Sequence, residues 1–235
     1  MNQSPLSFGQ RMGETADLTQ DRAQFIKATY AHLLYGVLAA VVGAYIGSTT
    51  PFIRNLFTGW IGWIVAMLLL NFIPRIAIAV RHDPVKGFLA LILDGFIAGI
   101  ILGPIVYIAG MVATGHNLVL NAVLITALVF TAVTAMVWSS GKRYQAKRGL
   151  MTGIFVSLIG AIVLNMFMPM GILGLLISVG VGIMGVLILV YSTSDILHNP
   201  QIDSPIIGAL MLFAGLFNVF TSILHILMAF AGGRD

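Results

Sequence analysis

Cysteine is absent from this 235-residue chain, which excludes disulfides, thiol catalysis and cysteine-ligated metals. Charge is scarce as well. Twelve Lys and Arg and eight Asp and Glu make up 9% of the residues, against roughly 25% in ordinary soluble domains. So little charge excludes a soluble enzyme surface and a nucleic-acid-binding module. No polar stretch approaches the roughly 50 residues that a separate soluble domain requires. What fills the chain is apolar: 59% is hydrophobic, with 14 Phe, 12 Met and 26 Gly. A spanning helix needs about 20 predominantly apolar residues, and this composition suits six or seven of them. The chain reads as a polytopic membrane protein.

The first 24 residues are polar, with Arg11, Glu14, Asp17, Asp21 and Arg22. They lack the short apolar run of a cleaved signal peptide and read as a flexible cytoplasmic N-terminal arm, residues 1–24. Residues 25–235 then read as one transmembrane domain, with apolar segments at 25–48, 56–80, 87–112, 118–138, 150–169, 171–191 and 205–231. The breaks carry turn residues: Ser48-Thr49-Thr50-Pro51, His82-Asp83-Pro84, Gly115-His116-Asn117 and the tight Met168-Pro169-Met170-Gly171. The expected fold is all-α, a seven-transmembrane-helix bundle.

Seven spans put the termini on opposite sides of the bilayer. Arg11, Arg22, Lys27, Arg75, Arg81, Lys86, Lys142, Arg143, Lys147 and Arg148 all fall on the side of the N-terminus, and only Arg54 and Arg234 on the other. Short loops rich in Lys and Arg stay cytoplasmic. The N-terminus is therefore expected in the cytoplasm and the C-terminus outside.

Glycines fall inside the spans at small-xxx-small spacing, at Gly43 and Gly47 and at Gly95, Gly99 and Gly103. Small residues one turn apart let helix backbones approach closely, and tight bundle packing is the expectation. The polar residues within the spans are more informative, because charge in hydrocarbon is expensive and usually faces the bundle with a partner. Arg75 lies roughly 9 Å and Asp94 roughly 12 Å from the same boundary, at 1.5 Å per residue. These depths point to a buried Arg75–Asp94 pair, with Asn71 one turn from Arg75. Snorkelling of Arg75 to the interface is the competing arrangement. His32 lies in the same half of the first span. Asn218, Thr221, Ser222 and His225 form one stripe on the last span, which puts that helix at the centre of the bundle. Together His32, Asn71, Asp195, Asn218 and His225 are candidates for a polar, proton or cation path.

Catalytic signatures are missing. There is no His-Glu-x-x-His motif, and Gly141-Lys142 has Met136 where a phosphate loop needs its first glycine. Ser139 and Ser140 lack the flanking glycines of a serine hydrolase. Calcium favours six to eight oxygens with several carboxylates, and only Asp94 lies well inside a span, with Asp195 and Asp203 near a loop. No enzyme, cofactor or resident metal site is expected.

Several segments together resemble the Bax inhibitor-1 family, and its bacterial YccA-like branch in particular. They are Phe25 to Leu34 around Thr29-Tyr30, Leu102-Gly103-Pro104-Ile105, Tyr191-Ser192-Thr193-Ser194-Asp195-Ile196-Leu197-His198, and Phe217-Asn218-Val219-Phe220 with Ser222-Ile223-Leu224. The final Gly233-Arg234-Asp235 is similar as well. The resemblance implies seven helices with the last in the centre, located in the bacterial inner membrane. It also implies two roles. One is a regulator or accessory partner of a membrane-bound AAA protease or another membrane complex. The other is a pH-sensitive calcium leak channel with an acidic residue after the aromatic of the sixth span and another in the seventh. Ser192 stands at the first acid position and Gly215 near the second, with Asp195 one turn beyond Ser192. The departure favours the regulator, whose partners would be the bilayer and a membrane protein, with calcium the alternative ligand.

Overall fold

The computed structural model describes residues 8–232, apart from 58, 113–116, 147 and 168–170, with side chains from Gln20 onward except at 148, 150, 166 and 167. The expected breaks at Gly115-His116 and Met168-Pro169-Met170, together with Lys147 and the terminal Gly233-Arg234-Asp235, lie outside the described residues. Among the described residues there are eight helices: α1 (Phe8–Thr49), α2 (Pro51–Leu56), α3 (Trp60–Ala79), α4 (Pro84–Val112), α5 (Leu118–Ser140), α6 (Arg148–Phe167), α7 (Gly171–His198) and α8 (Pro205–Gly232).

Six of these are long and apolar enough to cross a membrane, from Gln20–Thr49 of α1 through α3, α4, α5, α7 and α8. The expected fifth span corresponds to α6, a helix of 20 residues. Six of the seven expected spans are thus matched by long apolar helices among the described residues. α2 is an addition: Pro51 at its first turn pre-sets the backbone for a helix too short to cross anything. From Phe8 onward the arm is continuous with the first span as one helix of 42 residues. Residues 14–35 contain neither Gly nor Pro, so nothing in the sequence interrupts the helix where its polar and apolar parts join.

Asp83 caps α4. Its Oδ1 accepts the backbone N–H groups of Val85 (3.1 Å) and Lys86 (3.0 Å), and Pro84 follows at the first helical position. α5 ends on Gly141, whose φ of 58° is the left-handed conformation that closes helices at least cost for glycine.

α8 is the central helix and packs against α1, α3, α4, α5 and α7. Leu212, Phe213 and Val219 of α8 meet Leu33 of α1, Leu91 and Ala98 of α4 and Leu189 and Ile196 of α7 in the main core. Towards the other end Leu224 packs with Ala109 of α4 and with Leu118 and Ala122 of α5. α1 and α4 touch backbone to backbone. A Cβ at Gly99 would fall on the Ala40 carbonyl oxygen, one at Gly95 on that of Gly36, and one at Gly43 on that of Phe96. α6 sits outside this assembly, lying along α7 with Leu158 beside Gly180 and Asn165 beside Gly174, so the two helices run antiparallel.

Candidate functional site

The polar contacts between distant parts of the chain concentrate at one end of the bundle. Here the polar part of α1, the α3–α4 turn, the segment after α5 and the α7–α8 turn come together. Arg22 of α1 donates from Nη2 to the carbonyl oxygens of Asp195 (3.2 Å), Ile196 and Asn199 (3.0 Å), at the end of α7. Its guanidinium also lies over the Phe25 ring, 4.6 Å from the centroid. The last carbonyls of a helix have no partner within it and carry its negative dipole end, so a cation with several donors fits there. Arg81 pairs with Asp203 at 3.4 Å, and Ser204 Oγ donates to the Arg81 carbonyl at 3.2 Å. His82 Nε2 lies 3.8 Å from the same carboxylate and forms an ion pair with it only when the imidazole is protonated. The backbone N–H of Tyr144 donates to Ser194 Oγ at 2.7 Å, tying the segment after α5 to α7.

Next to this end lies a set of buried hydroxyls. The Tyr30 side chain packs beside Thr134, Trp138 and Thr193, and its ring lies 6.0 Å from that of Phe130. Tyr30 Oη, Thr134 Oγ1 and Thr193 Oγ1 are buried without a hydrogen-bond partner among the described residues. Thr29, fully buried, turns its hydroxyl to the Phe25 carbonyl (2.9 Å) and packs its methyl over Gly208 of α8. The stretch around Thr29-Tyr30 and the stretch Ser192-Thr193-Ser194 are thus the two sides of one α1–α7–α8 junction. Tyr191 is half-buried, and Ser192 is buried.

The expected Arg75–Asp94 pair does not form. Asp94 is buried (5% exposed) and has neither a hydrogen bond nor an ion pair among the described residues. Arg75 is exposed on α3, whose buried face carries Ile73 and Ala77. At 100° per residue Arg75 sits about 160° round the helix from both. Matching depth fixed its height and left its direction open. Asn71 is exposed too and donates to the Met67 carbonyl of its own helix (2.7 Å).

His32 bonds the Ala28 carbonyl through Nδ1 (2.6 Å) and meets Phe88 edge-on, and His225 bonds the Thr221 carbonyl (3.0 Å). Asn218 is half-buried beside Gly185, and Ser222 reaches across to the Ser178 carbonyl of α7 at 2.6 Å. Asp195 Oδ1 accepts from Asn199 at 3.4 Å. These residues are distributed over separate contacts and do not converge into one path. Among the described residues no three of His, Asp and Glu stand close enough to hold a metal ion. Gly103 packs on the Gly47 backbone and Pro104 is buried beside it, so that motif serves the α1–α4 seam. The place of Arg22 in this junction was not legible in the sequence. A basic residue in the polar approach to a span was visible, but its partners lie over 170 residues away.

The family model described as inhibitor of apoptosis-promoting Bax1 matches residues 22–232. The chain belongs to this family, the Bax inhibitor-1 family, and is a membrane protein of it. It is 27% identical to an uncharacterized protein of Neisseria meningitidis over 222 residues, which covers 91% of this chain and 94% of the relative. An uncharacterized protein of Campylobacter jejuni is 27% identical over 212 residues, covering 88% of each. The Escherichia coli protein named modulator of FtsH protease YccA is 35% identical over 150 residues, or 62% of this chain and 65% of YccA.

Proposed function

We propose that this chain is a multi-pass protein of the bacterial inner membrane that binds a membrane-bound AAA protease and modulates it. The observation that carries this reading is the similarity to YccA, whose name states modulation of FtsH protease. The polar end of the bundle supplies a physical handle. α1 projects beyond its apolar part as helix, and Arg22 fastens it to the end of α7. The excess of Lys and Arg at this end supports a cytoplasmic location under the positive-inside rule. The residues ahead of Arg22 then stand within reach of a cytoplasmic machine. α6 makes the seventh crossing in this reading. The segment after α5 meets the end of α7 through Tyr144 and Ser194, and α6 runs antiparallel to α7, which supports α6 as the return crossing. A reporter fused after Asp235 is then active only outside the cytoplasm.

The test is affinity purification of the full chain in mild detergent beside a variant lacking residues 2–20. The full chain brings down a membrane AAA protease. The shortened chain inserts normally, since the deleted residues lie outside the apolar spans, and loses the protease. Absence of the protease from the full-chain eluate overturns the reading.

Asp94 favours a second reading, a cation leak of the pH-sensitive calcium type, because an unpartnered carboxyl within a span marks an ion or proton pathway by default. In that reading Asp94→Asn leaves the fold intact and abolishes calcium flux in liposomes. Unaltered flux removes Asp94 from any such role.

A further inference from the structure

We propose that the outward face of α3 docks a transmembrane helix of another membrane protein, one that carries an Asp or Glu at the depth of Arg75. α3 packs on α4 and α8 through the side that holds Ile73 and Ala77. Arg75 and Asn71 lie one turn apart on the other side, and both are exposed. Ile61, Ile64, Leu68 and Phe72 are exposed as well, all within about 60° of Arg75 at 100° per residue. The result is a long apolar face with a polar pair set into it. Arg75 makes no hydrogen bond, ion pair or ring contact among the described residues.

Depth and charge select the occupant. α3 runs for 20 residues from Trp60 to Ala79, about 30 Å and so the thickness of the hydrocarbon core. Arg75 then lies about 6 Å and Asn71 about 12 Å inside the end at Ala79. An arginine stem alone can lift its charge to the lipid headgroups, but the short Asn71 side chain has no such reach. It donates one N–H to the Met67 carbonyl at 2.7 Å, which leaves its other N–H and its carboxamide oxygen open. Polar side chains so placed join helices within membranes. The Arg75 guanidinium is always charged and presents a fork of donors that matches a carboxylate, and Asn71 adds a further N–H beside it. A second copy of the chain does not offer that carboxylate in the open. Asp94 is buried, and Asp195 is half-buried and accepts from Asn199. The inference goes beyond the protease reading and does not depend on it, because it concerns α3 and leaves residues 2–20 out.

The test uses the full chain with Leu68→Cys as its sole cysteine, reconstituted in liposomes with a Lys-flanked Leu-Ala peptide of about 20 apolar residues. The peptide bears one Glu at the depth of Arg75 and one Cys further in, at the separation of Leu68 from Arg75. On oxidation the Glu peptide links to the chain about tenfold more than a twin with Leu in place of Glu, a modest preference for a desolvated charge pair. Arg75→Gln reduces that preference severalfold and keeps the melting temperature of the wild type, since Arg75 has no partner on another helix. Asn71→Leu does the same and replaces it should that variant fail to fold. Leu128→Cys, exposed on α5, links both peptides equally. Equal linking of the two peptides at Leu68→Cys overturns the proposal and leaves Arg75 to the lipid headgroups. The same preference for the Glu peptide at Leu128→Cys overturns it too. A dimer of the full chain in detergent that Arg75→Gln dissociates would give the face to a second copy and likewise overturn it.

Discussion

Gly43 and Gly47 of α1 face Gly95, Gly99 and Gly103 of α4 so closely that backbone stands where any side chain would go. Gly149, Gly153 and Gly160 of α6 are also spaced for close helix contact, and around them there is open space. The same small-residue device has opposite outcomes in the two places. In lipid, apolar side chains gain little by leaving the bilayer, so helices associate through close packing and polar contacts. α1 and α4 have both close packing and the polar end of the bundle to fix them. α6 has neither along its glycine face, so its spacing describes a surface rather than a seam. A small-xxx-small pattern therefore states that a close approach is available, and leaves open what makes it.

The largest expected effect lies in the seam. Gly99→Val sets a branched side chain against the Ala40 backbone, which cannot move aside as a flexible side chain would. Overpacking ordinarily costs about 1–3 kcal/mol and more against rigid neighbours, so this variant loses most of its detergent-resistant fold in a thermal melt. A melt close to wild type would mean that the seam is not close-packed.

Next comes the polar end. Arg22→Ala strips three carbonyls at the end of α7 of their charged donor. Hydrogen bonds to charged groups contribute roughly 1.5–3 kcal/mol when buried, and partial exposure reduces this to about 1–2 kcal/mol. Arg22→Lys restores only part of the loss, because one ammonium lacks the planar fork of donors. Hydrogen exchange at residues 195–199 reads this locally, and unchanged protection there would remove the clasp.

In α6 the sign reverses. Gly153→Ala meets no atom within 4 Å and relieves the backbone entropy of a mid-helix glycine, raising stability by up to about 0.5–1 kcal/mol. A destabilised Gly153→Ala would show that something packs on that face.

The smallest effect is at Asp83. The Lys86 backbone N–H, the Lys86 side chain and the Val85 N–H hold its carboxyl below the usual carboxylate range. A group depressed in the folded state adds stability above its unfolded value, and that stability is lost as pH falls through the folded one. Acid therefore loosens the start of α4, and Asp83→Asn, which still caps, flattens that part of the pH profile. An unchanged profile would detach the cap from acid sensitivity.

Most of the fold was legible in the sequence, because hydrophobic length and turn residues are one-dimensional signals. The predicted segments 118–138 and 205–231 fall within a residue or two of α5 and α8. The central place of the last helix was legible through its polar stripe, of which Ser222 does reach across to α7. The pairing of Arg75 with Asp94 was misread for a reason the helix geometry explains. α3 is apolar all round, so nothing in its pattern told which way Arg75 turns. Arg22 and the hydroxyls of Tyr30, Thr134 and Thr193 were illegible as sites because their members come together only through folding, from α1, α5 and α7.

Modulation of a membrane AAA protease is the central claim, and it is tested most directly by reconstituting that protease in liposomes with one of its membrane substrates and following the substrate's half-life. Adding this chain is predicted to lengthen the half-life severalfold, and the variant lacking residues 2–20 to leave it as it was. A substrate degraded at the same rate with and without the full chain would contradict the account.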